Sequence, residues 1–279
     1  MTTQVLLADP AAFTVAAAQN PHMRTADGGL QQIDHEAARD QWEDLLAAFQ
    51  HAGQDCHVLA ASPDLPDLVF TANPSMILPP TPGSQEVEVW LSRMAHSSRR
   101  GEVGLHANFF RDRGYALHDF PEDVGTVEGH GDLLRQPNTA QLHVGISPRS
   151  QGAAWAHLAR RRPDWNISAY ELLDPRFYHL DTALAILDDR RALVVPHAFT
   201  HGDLDRVRRH FPEAFLLNEE EAMAFAGNAW CPDGHHVFMQ SGLPRVEDWL
   251  SQQGFTPVGV ETSEFRKSGG SVFCLKQAF

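Results

Sequence analysis

The chain has 279 residues, of which 43% are hydrophobic and 21% are charged, and its formal net charge is −14 at pH 7. This composition is typical of a globular protein with a sizeable core, and it excludes an intrinsically disordered chain. The acidic charge argues against a surface that binds nucleic acid or an anionic membrane, and it is compatible with a small cationic substrate.

Apolar and amphipathic segments alternate along the chain. The first helix is predicted from His35 to Gly53, with Ala38, Trp42 and Leu45 at helical spacing, and a strand follows near 57–60. Further helices are predicted near 101–114, 150–161, 202–211, 219–226 and 244–253, and further strands near 87–93, 140–146, 182–187, 191–195, 215–218, 236–239 and 257–261. Because no long flexible linker interrupts this order, the sequence predicts one α/β domain over residues 1–279.

Cysteine usage and the absence of targeting signals indicate the compartment. Cys56, Cys231 and Cys274 are an odd number of cysteines without close pairing, which is typical of reduced thiols. The first residues lack the basic and apolar regions of a signal peptide, and no run of about eighteen apolar residues occurs. We therefore expect a cytoplasmic protein without a membrane-spanning segment.

The sequence has no recognisable metal or cofactor motif. Despite its 16 histidines, it contains no His-Glu-x-x-His helix and no paired Cys-x-x-Cys. It also lacks Gly-x-Gly-x-x-Gly, a phosphate loop and a Gly-x-Ser-x-Gly elbow. Neither a metal nor a cofactor is predicted.

Four polar clusters interrupt the apolar pattern at predicted strand ends, where loops often carry functional side chains. They are residues 67–73, 128–132, 177–182 and 265–274. The last cluster places Cys274 behind a basic loop, and we expect Arg266 and Lys267 to favour its reactive thiolate. Gly269 and Gly270 would allow a ligand or another backbone segment to approach closely. A buried cysteine on a terminal strand is the alternative interpretation of Cys274.

In this order, the four clusters resemble those of the guanidine-modifying pentein superfamily, which includes arginine deiminases, dimethylarginine dimethylaminohydrolases, arginine dihydrolases and amidinotransferases. The resemblance spans nearly the whole chain and implies a five-bladed α/β propeller of ββαβ units around a pseudo-fivefold axis. It implies that Cys274 in Gly-Gly-Ser-Val-x-Cys is the nucleophile, that His179 is the histidine of His-x-Asp, and that Glu128 is the acid opening the Glu-Gly-Gly-Asp turn.

The same resemblance implies a substrate-binding set. Asp181 would bind guanidinium nitrogens, and Arg99 and Arg149 would hold a substrate carboxylate. The residues expected beside the substrate are Asp67, Asn73 and Asn20, the last in an Asn-Pro-x-Met segment. The expected partner is a small cationic guanidino compound, with no metal or cofactor, no nucleic acid and no membrane, and a homo-oligomer is compatible with the sequence.

The chemistry explains this choice of residue types. A guanidinium carbon is a poor electrophile because its charge is delocalised, so attack requires a thiolate and fixed counter-charges. Glu128 and Asp181 would orient the cation, and His179 would protonate the departing amine and then deprotonate the attacking water. Because two buried carboxylates repel each other without the cation, we expect both pKa values to be raised in the free enzyme.

Two departures from the wider superfamily favour an arginine dihydrolase. Residues 70–73 read Phe-Thr-Ala-Asn, whereas deiminases have Phe-Thr-Arg-Asp and dimethylaminohydrolases Phe-x-Glu-Asp. Residues 128–132 read Glu-Gly-His-Gly-Asp, with one residue more than the common turn. Both features are similar to arginine dihydrolases, and the neutral amide of Asn73 would let citrulline stay bound and be hydrolysed again to ornithine, carbon dioxide and ammonia.

Other functions stay open at this stage. A single hydrolysis could release citrulline from arginine or from a methylated arginine. Amidinotransfer is less favoured because water must be excluded and the sequence shows no dedicated lid. A non-catalytic binding factor is disfavoured by the presence of Cys274, His179 and Glu128 together, and a thiol redox role by the lack of a second cysteine near Cys274 in sequence.

Overall fold

The computed structural model describes residues 3–279, which form a mixed α/β fold. The strands are β1 (Gln4–Ala8), β2 (Asp55–Leu59), β3 (Ser75–Leu78), β4 (Glu88–Leu91), β5 (Ala116–Asp119), β6 (Leu133–Gln136), β7 (Gln141–Ile146), β8 (Asn166–Glu171), β9 (Leu184–Ile186), β10 (Ala192–Val194), β11 (Phe215–Leu216), β12 (His236–Gln240), β13 (Thr256–Val260) and β14 (Gln277–Ala278). The helices are α1 (His35–His51), α2 (Arg100–Arg111), α3 (Gly152–Arg161), α4 (Leu180–Ala183), α5 (His201–His210), α6 (Glu219–Met223), α7 (Pro244–Gln252) and α8 (Ser263–Arg266). Within residues 3–279, none of these helices combines the length and the apolar character needed to cross a bilayer.

The described strands form five small sheets that share one connection pattern. In the sheet of β3, β4 and β5, the first two strands are antiparallel, and β5 lies parallel to β4 after the crossover through α2. The same ββαβ order recurs in β6–β7–α3–β8 and in β9–β10–α5–β11. In the fourth sheet β12 and β13 flank α7, and an antiparallel bridge from Trp230 to Phe238 stands in for the first strand.

The fifth sheet brings the last described strand against the first. β1 is parallel to β2 after the crossover through α1, and it is antiparallel to β14, with Val5 opposite Ala278. The turn that carries Cys274 directly precedes β14. This pairing therefore anchors the Cys274 turn to the N-terminal sheet.

Helix α1 shows how the local sequence builds this part of the core. The Asp34 side chain caps the helix by accepting hydrogen bonds from the backbone N–H groups of Glu36 and Ala37. The apolar face of α1, which includes Trp42, packs into a buried cluster that also contains Val272 from the segment just before Cys274. Burial of this face holds the helix against the site rather than helix propensity alone.

The structure confirms the predicted order of helices and strands and corrects its details. The predicted strand near 182–187 is wrong at its start, because Leu180–Ala183 form α4 and only Leu184–Ile186 are strand. The helix predicted near 219–226 ends at Met223. Elements that the periodicity did not predict are β1, β3, β5, β6, β8, β14 and α8. Most of these are short strands, and pairing with a neighbour rather than local pattern defines them.

Candidate active site

Cys274 is buried in the turn before β14, and its thiol contacts Asp181 and Asn228. The Sγ atom donates to Asp181 Oδ2 at 3.0 Å and accepts from Asn228 Nδ2 at 3.2 Å. Asn228 also accepts from the backbone N–H groups of Ser271, at 3.0 Å, and Cys274, at 3.3 Å. Asn228 therefore fixes both the turn and the thiol. Sequence reasoning missed it because it lies in an apolar Ala-Gly-Asn-Ala segment without a motif.

Burial, followed by the charge of Asp181, raises the pKa of the Cys274 thiol well above its ordinary value. The expectation that Arg266 and Lys267 favour the thiolate is wrong. Lys267 pairs with Glu264 at 2.7 Å, and Arg266 lies 4.0 Å from Glu261. Since these cations face carboxylates of their own, they do not offset the effect of burial, and the thiol of Cys274 is protonated near neutral pH.

His179 and Glu128 form a buried pair. His179 Nε2 lies 3.0 Å from Glu128 Oε2, and Arg149 donates to the same oxygen at 3.0 Å. The other oxygen, Oε1, accepts from the backbone N–H of Ala95 at 2.9 Å. Burial alone would raise the pKa of Glu128, but the hydrogen bond from His179 and the charge of Arg149 hold it well below its usual range. The expected rise in the Glu128 pKa is therefore wrong, because the sequence does not show these partners.

Asp181 behaves differently from Glu128. Burial raises its pKa to about 7, while the hydrogen bond from Cys274 and the charge of Lys276 act in the opposite direction. The predicted upward shift is confirmed here, although burial is the main cause rather than repulsion between carboxylates. Within residues 3–279, the buried oxygens Asp181 Oδ1 and Asp67 Oδ1 have no hydrogen-bond partner. Both are acceptors suited to the N–H groups of a cationic ligand.

The glycines of the Glu-Gly-His-Gly-Asp turn have a steric role. A side chain at Gly131 would overlap the amide of Asn73, and one at Gly129, which has a φ of +49°, would overlap backbone carbonyls, among them that of Ser75. At the end of the turn, Asp132 Oδ1 accepts from the backbone N–H of Leu180 at 2.9 Å. The turn therefore brings Glu128 and the His179 segment together.

A cavity of about 10 Å³ lies over Cys274. Six of the nine predicted site residues line it, namely Asn20, Asp67, Asn73, Arg99, Arg149 and Cys274. The other three, Glu128, His179 and Asp181, lie behind this lining in contact with Arg149, Asn73 and Cys274. A volume of this size holds about one water molecule, so side chains must move before an amino acid can enter.

Asn73 lies between Arg99 and His179. Arg99 donates to both oxygens of Glu102, at 2.9 and 2.7 Å, and to Asn73 Oδ1 at 3.1 Å. Asn73 Nδ2 lies 3.5 Å from His179 Nδ1. The Arg99–Glu102 pair therefore holds the side-chain carbonyl of Asn73 away from His179. As a result, the side-chain N–H groups of Asn73 face the imidazole.

The segment around Gln19 covers the cavity. Gln19 Nε2 donates to Asp67 Oδ2 at 2.8 Å, and the Gln19 carbonyl accepts from Arg149 at 3.1 Å. Asn20 Nδ2 donates to the Ser268 carbonyl at 2.9 Å. Gln19 was not among the predicted residues, and only its position next to the Asn-Pro-x-Met segment could have indicated it. Asp67 is therefore already bound by an amide from the chain itself.

This arrangement places a thiol in contact with the carboxylate of Asp181 and an imidazole in contact with that of Glu128, both beside a cavity lined by arginines and amides. A thiol and an imidazole–carboxylate pair around one cavity can perform nucleophilic attack with proton transfer. Within the described part of the chain, no group of three or more His, Cys, Asp or Glu side chains is placed to hold a metal ion.

Comparisons with known proteins agree on one family. A family model described as N,N dimethylarginine dimethylhydrolase, eukaryotic, matches residues 9–277. The N(G),N(G)-dimethylarginine dimethylaminohydrolase of Mycobacterium tuberculosis is 33% identical over 274 residues, covering 98% of this chain and 84% of that protein. The bifunctional arginine dihydrolase/ornithine cyclodeaminase AgrE of a Nostoc species is 30% identical over 280 residues, covering 99% of this chain and 38% of that protein.

A solved structure extends the similarity to the fold. The N-terminal domain of ArgZ, a cyanobacterial arginine dihydrolase captured with its substrate, has a TM-score of 0.89 and 27% identity, over 99% of this chain and 97% of that one. Its pentein fold accounts for the mixed α/β architecture found here. The chain therefore belongs to the dimethylarginine dimethylhydrolase family of the guanidine-modifying pentein superfamily, and it is a hydrolase that acts on guanidino C–N bonds.

Proposed function

We propose that this enzyme hydrolyses the guanidino group of L-arginine to ornithine, ammonia and carbon dioxide through a covalent intermediate on Cys274. The main observation that supports this proposal is the position of Asn73, a neutral amide in the cavity lining. Its Nδ2 lies 3.5 Å from His179 Nδ1. An amide can hydrogen-bond a neutral ureido group as well as a cation, so citrulline can stay for a second hydrolysis. Similarity to AgrE and to the N-terminal domain of ArgZ, both named as arginine dihydrolases, supports this choice.

In the first half of the proposed reaction, the guanidinium binds against Asp181 and lowers the pKa of the nearby thiol. Cys274 passes its proton to His179 Nδ1 and adds through sulfur to the guanidinium carbon, forming a C–S bond. His179 then donates a proton to the departing nitrogen, the C–N bond breaks, and ammonia leaves. Glu128 holds the imidazole in place, which makes it a positioning residue for this proton transfer.

In the second half, His179 accepts a proton from water as the oxygen adds to the amidino-thioether carbon. The C–S bond breaks, the thiolate of Cys274 is restored, and citrulline remains in the cavity. A second hydrolysis at the ureido carbon releases ornithine and carbamic acid, which decomposes to carbon dioxide and ammonia. Arg99 and Arg149 are proposed to hold the amino-acid carboxylate during both rounds, and Asp67 and Asn20 to lie beside the substrate.

The five sheets are proposed to be the blades of one propeller domain spanning residues 1–279, with the substrate in the central channel. The repeated ββαβ order and the pairing of β1 with β14 support this arrangement. A cytoplasmic location is proposed as well, and Cys56, Cys231 and Cys274, which are all free, are compatible with it.

A second candidate is a single hydrolysis that releases citrulline from a methylated arginine. The match to the dimethylarginine dimethylhydrolase model and the relative from M. tuberculosis favour it. The same thiol, imidazole and carboxylates would perform this reaction, with a methylated amine instead of ammonia as the leaving group. The two candidates therefore differ in product rather than in nucleophile.

A product assay separates them. Purified protein is incubated with arginine or with dimethylarginine, and ornithine, citrulline, ammonia and methylamines are quantified together, with Cys274→Ser as the blank and Cys56→Ser as the matched control. Ornithine with two equivalents of ammonia per arginine supports the dihydrolase. Citrulline with one equivalent of amine supports the single-step enzyme, and equal rates in Cys274→Ser and wild type would contradict both.

A further inference from the structure

The distribution of lysine in this chain points to Lys276. Lys267 and Lys276 are the only lysines, against twenty arginines. Lys267 pairs with Glu264 at the surface side of the loop, whereas Lys276, two residues after Cys274, is only 2% exposed. An arginine keeps its charge under all ordinary conditions, whereas a buried lysine can lose its proton. The buried ammonium of Lys276 can therefore lose its proton, whereas an arginine at this position could not.

The ammonium of Lys276 has aromatic rather than acidic neighbours in direct contact. Its Nζ lies 3.2 Å from the centroid of the Phe273 ring and 5.1 Å from that of Trp230. Within residues 3–279 it forms no salt bridge at direct-contact distance, unlike Lys267. Ring faces stabilise a cation, but they do not neutralise its charge. The electric field of the Lys276 ammonium therefore acts on nearby buried carboxyl groups.

Lys276 does not line the cavity over Cys274. It lines a second cavity of about 150 Å³, which shares no lining residue with the cavity over Cys274. The titratable groups that share this second cavity are His130, Arg135 and Cys231. Substrate in the first cavity would therefore have no contact with the ammonium, and any effect of Lys276 must pass through the residues between the cavities.

Asp181 is the acid linked to Lys276 through the nucleophile segment, since its Oδ2 accepts from Cys274 Sγ at 3.0 Å and Cys274 lies two residues before Lys276. Burial lowers the pKa of Lys276 to about 7, and the nearby groups that oppose this effect are Asp181 and Cys274. Burial lowers the pKa of His130 to about 4 and raises that of Cys231 to about 12, so neither group is charged near neutral pH. Arg135 carries the same sign of charge as Lys276. Asp181 is consequently the anion available to the ammonium.

We propose that Lys276 is a positioning residue for guanidinium recognition: its ammonium is the buried counter-charge that keeps Asp181 ionised beside Cys274. A buried carboxylate without a counter-charge takes up a proton, and a protonated Asp181 would bind a guanidinium poorly. Because Asp181 and Cys274 have these roles only under the proposed function, the role of Lys276 rests on that function. A lysine that merely packs against Phe273 and Trp230 would leave the titration of Asp181 unchanged.

The coupling between Lys276 and Asp181 can be measured without substrate. With ¹³Cε-labelled lysine, the protein gives two lysine side-chain signals to follow by NMR from pH 5 to 11, and Lys267 serves as the internal control. We expect Lys276 to titrate well below Lys267, and Asp181→Asn to lower its midpoint further, by about one pH unit or more. An unchanged Lys276 midpoint in Asp181→Asn would overturn the proposal.

The pH dependence of activity tests the same coupling through Asp181. In Lys276→Met, the acid limb of kcat/KM for arginine should move up by about one pH unit, with KM rising more than kcat falls. Lys276→Arg should restore part of this loss, and Lys267→Met should match the wild type. If Lys276→Met keeps the wild-type profile, the proposal fails although the enzyme is active. If the NMR coupling is present but arginine is not turned over, the proposed substrate fails while the Lys276–Asp181 pair stands.

Discussion

His179 Nε2 and Glu128 Oε2 lie 3.0 Å apart, and this contact decides which imidazole nitrogen carries the proton in the neutral ring. Glu128 is an ionised acceptor because its pKa is held low, so Nε2 donates and Nδ1 is left unprotonated. Nδ1 is also the nitrogen nearest Asn73, on the cavity side. In the proposed mechanism, Nδ1 is therefore the atom that exchanges protons with the leaving group and with water.

Replacing Glu128 tests this orientation. In Glu128→Gln the amide can present an N–H to His179, which removes the preference for the Nε2–H form and leaves Arg149 without its anionic partner. We expect kcat to fall by roughly 10²–10⁴-fold, the range lost with general acid–base catalysis. Steady-state kinetics with arginine measures this effect, and Glu220→Gln on the exposed face of α6 is the control. A loss of less than about threefold would contradict the assigned role.

The pH dependence of activity should follow Asp181. Its pKa is raised to about 7, and only the ionised form binds a guanidinium well, so kcat/KM should fall as the pH drops through about 7. Bound guanidinium favours the ionised carboxylate, so the acid limb of kcat should lie at lower pH than that of kcat/KM. Profiles from pH 5 to 9 would show this. Coincident limbs would argue that Asp181 does not face the cation.

Stability should show the opposite trend with pH. Folding raises the pKa of Asp181 from 3.8 to about 7. Such a carboxyl stabilises the fold fully below pH 3.8, and this stabilisation is lost as the pH rises through about 7. Asp181→Asn removes this titration. The unfolding free energy of the variant minus that of the wild type should therefore be larger at pH 8 than at pH 5, by about 1–4 kcal/mol. Urea unfolding at both pH values measures the difference, and an equal effect at both would count against it.

Asn73 is expected to determine the product. Asn73→Asp adds a carboxylate that favours the cationic guanidinium over the neutral ureido group, so citrulline should leave before the second hydrolysis. The ratio of citrulline to ornithine should rise by at least tenfold, as measured by chromatography of the quenched reaction. Asn108→Asp on the exposed face of α2 should keep the wild-type ratio. A variant that still yields only ornithine would contradict this role.

Asn228 should matter for both stability and turnover. Asn228→Ala leaves the buried N–H groups of Ser271 and Cys274 without their acceptor, which should cost about 1–3 kcal/mol of unfolding free energy. Because the same side chain holds the thiol, kcat should fall as well. Urea unfolding and kinetics on the same preparation measure the two effects. Unchanged kcat in a destabilised variant would show that Asn228 only supports the turn.

The sequence predicted the parts of the site that lie in short contiguous motifs. Cys274, His179 and Glu128 each sit beside glycine or acidic neighbours that form a motif, and the structure places them around one centre. Asn228 and Lys276 have no such context, since contacts between distant segments give them their partners. The amphipathic helices were predicted because their apolar spacing also lies within one continuous segment. Strand β6 was missed because its pairing with β7, rather than its own sequence, defines it.

The hydrogen bond between Gln19 and Asp67 sets a threshold for what can occupy the cavity. A ligand that reaches Asp67 must replace an amide that already satisfies one carboxylate oxygen, so a small cation with a single point of contact gains little. A guanidino amino acid brings several N–H groups and a carboxylate at once, and it can compensate for the displaced amide. The enzyme should therefore resist inhibition by ammonium, the product of the proposed reaction, and by the alkali cations of its surroundings.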